Sequence, residues 1–145
     1  MRYLKKFNED LDNQFREELK DFCETNLVYL LDEGTEVNVD ESHTMWNAKG
    51  HVIKIKFNED KSWNEIKDHL IPFATRLNGK YEMMDTEVRI VFGDIMQCYN
   101  MTTTIQDIIN DNLEADSLSF RYYTATLKLQ ISYIFIYITG YKQQK

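Results

Sequence analysis

Residues 131–138 read ISYIFIYI, and how that run is taken decides the fold. It closes a longer stretch, Ser117 to Thr139, that contains no Gly, Pro, Asn or Asp. Within it Leu127-Lys128-Leu129-Gln130-Ile131-Ser132-Tyr133 alternates apolar with polar, and β-branched and aromatic residues dominate, so strand is predicted across the stretch. A buried helix is the second reading of ISYIFIYI, because periodicity alone does not separate the two over so short a run. Residues 134–138 are apolar on both faces, unlike a strand wet on one side. Either the domain buries both sides, the reading preferred here, or a second molecule covers one. The run falls far short of the roughly 20 apolar residues of a membrane-spanning helix.

Working outward, Leu11, Phe15, Leu19, Phe22, Cys23, Leu27, Leu30 and Leu31 recur at steps of three and four, the spacing of one helical face. Gly34 is placed to end that helix as its C′ residue. T-E-V-N-V and His51–Phe57 (HVIKIKF) then alternate as a hairpin with a long or irregular connection through Asn47-Ala48-Lys49-Gly50. Ser62-Trp63-Asn64-Glu65 has the form of a capping box, with Trp63, Ile66, Leu70, Phe73, Ala74 and Leu77 on one face of the helix it opens. Pro72 predicts a kink or an early end, and Asn78-Gly79 a stop. Residues 80–84, 87–92 and 95–99 read as a meander with Gly93-Asp94 as a two-residue loop, and Thr102–Leu113 as a short helix under a threonine cap.

The string KFNED occurs at residues 6–10 and again at 56–60. Phe before Asn can staple a helix start, Asn can cap it, and acids in the first turn meet the positive end of the dipole, so both copies are expected to open helices. Glu18-Leu19-Lys20-Asp21 against Glu65-Ile66-Lys67-Asp68, and Gly34 against Gly79, extend the likeness to a possible duplicated helix-strand-strand unit, with residues 103–139 as a degenerate third copy.

The length of 145 residues fits one globular domain, 1–145, able to bury a core without disulfides, and 43% hydrophobic with 28% charged residues is a folded composition. Cys23 and Cys98 show no CxxC spacing and suit a reducing cytoplasm. The N-terminal MRYLKKFNED passes into acids without an apolar segment, so no signal peptide is expected. A net charge of −7 argues against nucleic-acid binding and against an anionic membrane surface. Residues 1–50 carry twelve acids against six bases, whereas residues 117–145 carry four bases and no acid, which predicts that the two ends complement each other.

Tyr3-Leu4-Lys5-Lys6-Phe7-Asn8-Glu9 and the acidic helix ending Leu27-Val28-Tyr29-Leu30-Leu31-Asp32-Glu33-Gly34 resemble the start of small uncharacterised proteins encoded by tailed bacteriophages. The resemblance touches Trp63–Phe73 (WNEIKDHLIPF) and covers roughly a third of the chain. It implies a bacteriophage origin and the cytoplasm of an infected bacterium, and it carries no activity and no functional residue.

Catalytic signatures for nucleotide, hydrolase or zinc-protease chemistry are missing from the sequence. His43 and His51 flank Met45 and Trp46 but lack further zinc ligands nearby, so they are read as a loop and a strand-start residue. Glu36, Asp40, Glu41 and Asp85 could gather near the hairpin ends around Mg²⁺, although solubilising acids are the commoner use of such residues. No catalytic residue, cofactor or metal ligand is assigned. Glu24, Asp32 and Glu33 lie toward the negative end of the first helix, where something else must hold them: Arg121 or Lys128 of the same fold, or a basic partner. Trp46, in a predicted loop, and Tyr137, in the terminal strand, complete the candidate partner contacts.

The expectation is an α+β domain of order α-β-β-α-β-β-β-α-β-β, with helices on one face of a mainly antiparallel sheet. The expected function is that of a non-catalytic accessory protein, binding a protein partner such as a host factor through its acidic surface. The alternatives are a self-assembling or virion component that forms homo-oligomers through the C-terminal strand, and a small metal-dependent hydrolase.

Overall fold

The computed structural model describes residues 2–43, 49–81, 86–93 and 99–138. Among these, five strands form one sheet of order β1-β2-β5-β3-β4, each pair antiparallel. The strands are β1 (Glu36–His43), β2 (Lys49–Lys61), β3 (Glu87–Phe92), β4 (Tyr99–Thr104) and β5 (Ile131–Ile138). The α+β fold with its antiparallel sheet is therefore as the sequence predicts. ISYIFIYI is the central strand, held on one edge by β2 and on the other by β3.

That position explains its composition. Ile134, Ile136 and Ile138 point into the core, where Ile136 is opposite Ile53 of β2 and Val88 of β3. Tyr133, Phe135 and Tyr137 alternate to the other face and are half-buried, so the strand is not fully buried on both sides as preferred from sequence.

Helix α1 (Arg2–Asn26) and α2 (Val28–Asp32) are nearly continuous, because Leu27 donates to Cys23 and Leu31 to Leu27 across the break. Phe15, Leu19, Cys23, Leu27 and Leu30 are buried on the predicted face. Gly34, at φ 96°, closes the helix: its N–H reaches the Leu31 carbonyl and that of Thr35 the Leu30 carbonyl, the paired bonds of a Schellman end.

Helix α3 (Trp63–Tyr81) opens with the predicted capping box, Glu65 N–H donating to Ser62 Oγ at 3.3 Å and Ser62 N–H to Glu65 Oε2 at 3.2 Å. It runs on through Pro72, so it does not end early there, and through Asn78-Gly79, contrary to the predicted stop. Phe73, Ala74, Leu77 and Tyr81 keep burying the same face beyond the proline, and that burial exceeds the proline penalty of about 3 kcal/mol. Rings of Phe22 and Phe73, 5.8 Å apart, and of Phe15 and Tyr81, 5.3 Å apart, join α1 to α3 on the helical face of the sheet.

Both copies of KFNED depart from the predicted role. Residues 6–10 lie inside α1, and residues 56–60 lie inside β2. In the second copy Phe57 faces the core as one more member of the β2 alternation, so the sheet overrides a local helix-start signal. The order helix-strand-strand does occur twice, as α1-β1-β2 and α3-β3-β4. The strand beside β5 is the second of the first unit and the first of the other, so the likeness is one of order and not of placement. Among the described residues, 103–138 give no third copy.

Three further predicted elements are corrected. Residues 80 and 81 are helical, and Phe92 lies opposite Tyr99, which is not the register of a two-residue loop at Gly93-Asp94; residues 82–85 and 94–98 lie outside the described residues. Thr102–Thr104 are strand, and the helix begins one residue later as α4 (Ile105–Ile109), with Thr104 Oγ1 accepting from Asp107 N–H at 3.2 Å. Two short helices follow, α5 (Leu113–Asp116) and α6 (Leu118–Arg121), and then a π-helical turn, Tyr122–Thr126, where strand was predicted. Ser117 starts α6 by accepting from Phe120 N–H, and Phe120 buries its ring against Phe92 at 5.8 Å. Lys128, at φ 54°, breaks the chain before β5, although Leu127 and Leu129 alternate with exposed Lys128 and Gln130 as a strand would. No helix among the described residues is long and apolar enough to cross a membrane.

Candidate functional site

On α1 and α2 the helical repeat aligns Glu17, Asp21, Glu24, Val28 and Asp32 at steps of four, three, four and four along one outward stripe. All five are exposed. Among the described residues no cation lies within ion-pair distance of these acids or of Glu33. The expected internal partners Arg121 and Lys128 do not reach them. Neither helix carries a basic residue in its last turn, so Glu24 at the end of α1, and Asp32 and Glu33 at the end of α2, also face the negative end of a helix dipole. Beside them Tyr29 is 70% exposed and Val28 47%, with the ring of Tyr29 leaning on His69 at 5.8 Å.

The candidate contacts do not form one surface. Glu24, Asp32 and Glu33 share the helical side, whereas Tyr137 lies on the opposite face of the sheet, with the Arg89 guanidinium 5.6 Å from its ring centroid. Trp46, Met45, Cys98 and Asp85 lie outside the described residues, as does the side chain of His43.

The outward face of β5 carries residues that the sequence reading did not single out. Lys54 and Lys56 of β2 and Arg89 of β3 flank Tyr133, Phe135 and Tyr137. The signal was present, since alternation in HVIKIKF, EVRIVF and ISYIFIYI assigns these residues to one parity; the missing fact was that β5 lies between β2 and β3.

The acids weighed for a metal are dispersed. Glu41 pairs with Arg16 at 2.5 Å, Asp40 pairs with Lys54 at 3.3 Å on the other face of β1, and among the described residues no three His, Cys, Asp or Glu side chains converge. His51 is buried with its ring 4.8 Å from that of Phe15. Cys23 is buried, and burial, with the Glu24 charge beside it, pushes its thiol up to about 12, which suppresses the thiolate. A cleft of about 360 Å³ beside α4 and α5 contains Thr103, Asp107 and Asn112. Asp107 already accepts from Thr103 Oγ1 at 3.0 Å, and its backbone N–H is bound by the Thr104 cap.

No protein-family model, curated protein or solved structure matches this chain.

Proposed function

We propose that this chain is a non-catalytic accessory protein of bacteriophage type that binds a basic protein partner, such as a host factor, through α1 and α2. One observation supports this reading above the others: the stripe Glu17–Asp21–Glu24–Asp32, without intramolecular counter-ions among the described residues, borders the exposed Val28 and Tyr29. Like charges four residues apart destabilise a helix by a few tenths of a kcal/mol per pair, and a cationic surface would remove that penalty while Tyr29 anchors the contact. The carboxylates are available for such use because the fold does not use them internally.

The test is co-purification from bacterial lysate at low salt, comparing the natural chain with a Glu24→Lys/Asp32→Lys/Glu33→Lys variant. A partner retained by the first, released by salt and lost by the folded variant supports the reading. Equal capture by both, or none by the folded natural chain, sinks it.

A further inference from the structure

The face of the sheet turned away from the helices is aromatic at its centre and charge-balanced around it. Rings of Tyr133 and Phe135 stack 5.6 Å apart at 11°, and Tyr137 continues the ladder 6.4 Å from Phe135. All three are half-buried on the middle strand, where a sheet covered on one side only would carry polar residues. The register sets three rows across this face. Glu36 and Lys56 flank Tyr133 in the first, Lys54 and Arg89 flank Phe135 in the second, and Asp40, Val52 and Glu87 lie level with Tyr137 in the third. Three cations meet three acids in these rows, so the face has no net charge to draw a polyanion or a polycation.

An aromatic centre inside a balanced pattern of charge is a surface that can complement itself. We propose that a second copy of this chain packs face to face on this sheet, about a two-fold axis that crosses β5 midway between Phe135 and Tyr137 and close to perpendicular to the strand.

Charge selects that axis. A two-fold along β5 would lay Lys54 on Arg89 of the second copy, and one crossing at Phe135 would lay Lys54 on Lys54 and Arg89 on Arg89. A crossing midway to Tyr133 would lay Lys54 on Lys56. Each of these sets cation on cation. The crossing midway to Tyr137 exchanges the second and third rows instead. Arg89 then faces Glu87 of the second copy, Phe135 faces Tyr137, and Lys54 faces Val52 with Asp40 beside it. Within one chain Lys54 meets Asp40 at 3.3 Å and Arg89 meets Glu87 at 3.8 Å, all four side chains about half exposed, so these loose pairs can be shared with the second copy at little cost.

Five strands about 4.8 Å apart and three rows about 6.8 Å apart make a patch of roughly 500 Å² per copy. A dimer would bury about 1,000 Å², the lower end of what a specific interface needs, so the association is weak and forms as concentration rises. The acidic stripe of α1 and α2 lies on the helical side, so both copies keep it free, and the dimer stands whether or not a basic partner binds there.

The test is sedimentation velocity of the full chain over the micromolar to submillimolar range, at about 0.15 M salt, where the net charge of −7 is screened beyond roughly 8 Å. Monomer should convert to dimer across that range. Arg89→Glu and Glu87→Arg, both at exposed positions, should each weaken association more than about tenfold, because each sets like charges opposite one another twice. Mixing the two variants should restore a dimer, since every facing pair is then opposite in charge again; an effect confined to one chain would not be repaired by mixing. Phe135→Ala should weaken association roughly tenfold by removing the central ring. Folding is checked by circular dichroism, and should Phe135→Ala fail to fold, the charge variants carry the test. Self-association that these substitutions weaken and mixing recovers supports the proposal. A chain that stays monomeric throughout, a dimer indifferent to the substitutions, or variants that do not recover on mixing would overturn it.

Discussion

The indole Nε1 of Trp63 donates to Oδ1 of Asp111 at 2.7 Å, tying the first turn of α3 to the link between α4 and α5. Asp111 accepts from a left-handed backbone, φ 53°, that an acid tolerates better than alanine. Asp111→Ala should cost about 2 kcal/mol, because it leaves a part-buried N–H without its acceptor and strains the backbone. Asp111→Asn keeps the acceptor and the conformational tolerance and should cost less than about 1 kcal/mol. Lys67, 3.6 Å from the same carboxylate and partly exposed, adds little. Urea unfolding separates the two variants; equal losses would refute the role of the indole bond.

Gly34 is the second local test. Its φ of 96° suits glycine, and a Cβ there would lie 2.9 Å from Asn58 Nδ2 in β2. Gly34→Ala should destabilise by at least about 1 kcal/mol through the left-handed strain alone. Adding Asn58→Ala removes the steric part, so the double variant should recover some of the loss. Additive losses in a double-mutant cycle would show that the contact is of no consequence.

These two sites also show what was legible in the sequence. Gly34, the Ser62–Glu65 box and the inward face of α1 are local signals whose partners lie within a turn or two, and all three are where pattern places them. KFNED failed at both copies because a five-residue string contributes little against the burial of a whole helix or strand. The alternation at Leu127–Gln130 is only alternate exposure without strand pairing, and Lys128 supplies the break. Most of the candidate surface on the sheet was hidden for a different reason. Lys54, Arg89 and Phe135 are neighbours only because β5 inserts between β2 and β3, and long-range strand order leaves no mark on any local window.

The core position of β5 predicts unequal outcomes for adjacent residues. Ile136, buried between Ile53 and Val88, should cost about 2–5 kcal/mol when changed to alanine. Phe135→Leu, on the outward face, should cost less than about 1.5 kcal/mol. Thermal unfolding of the two variants checks the alternation, and a reversed order of losses would place the wrong face of β5 in the core.

Pro72 is exposed inside α3, where it removes one amide donor from a helix that continues to Tyr81. Pro72→Ala should restore that bond and relieve the clash with the preceding turn, a gain of up to about 3 kcal/mol. The freer unfolded chain takes back roughly 0.4–1 kcal/mol. A net rise of about 2 kcal/mol in urea unfolding is expected. A loss would mean that the helix is adapted to a bend at this point.

Cys23 ties burial to pH. Its thiol is pushed by burial first, and then by Glu24, from 9.0 up to about 12 in the folded chain. Below 9.0 both folded and unfolded thiols are protonated and the group adds no pH dependence. Between 9.0 and about 12 the unfolded chain releases its proton while the folded chain keeps it. The unfolded state then binds fewer protons, so stability falls as pH rises, by about 1.4 kcal/mol per unit for a full proton. Cys23→Ala removes this dependence. In a Cys98→Ser background, which leaves one thiol to read, the stability advantage of Cys23 over alanine should shrink as pH rises above 9.0. A disulfide reagent at about pH 8 should label Cys23 only through opening of the fold, because the thiolate is the reactive form. Fast labelling without denaturant, or an advantage that stays constant with pH, would show that α1 does not seal this side chain against the sheet.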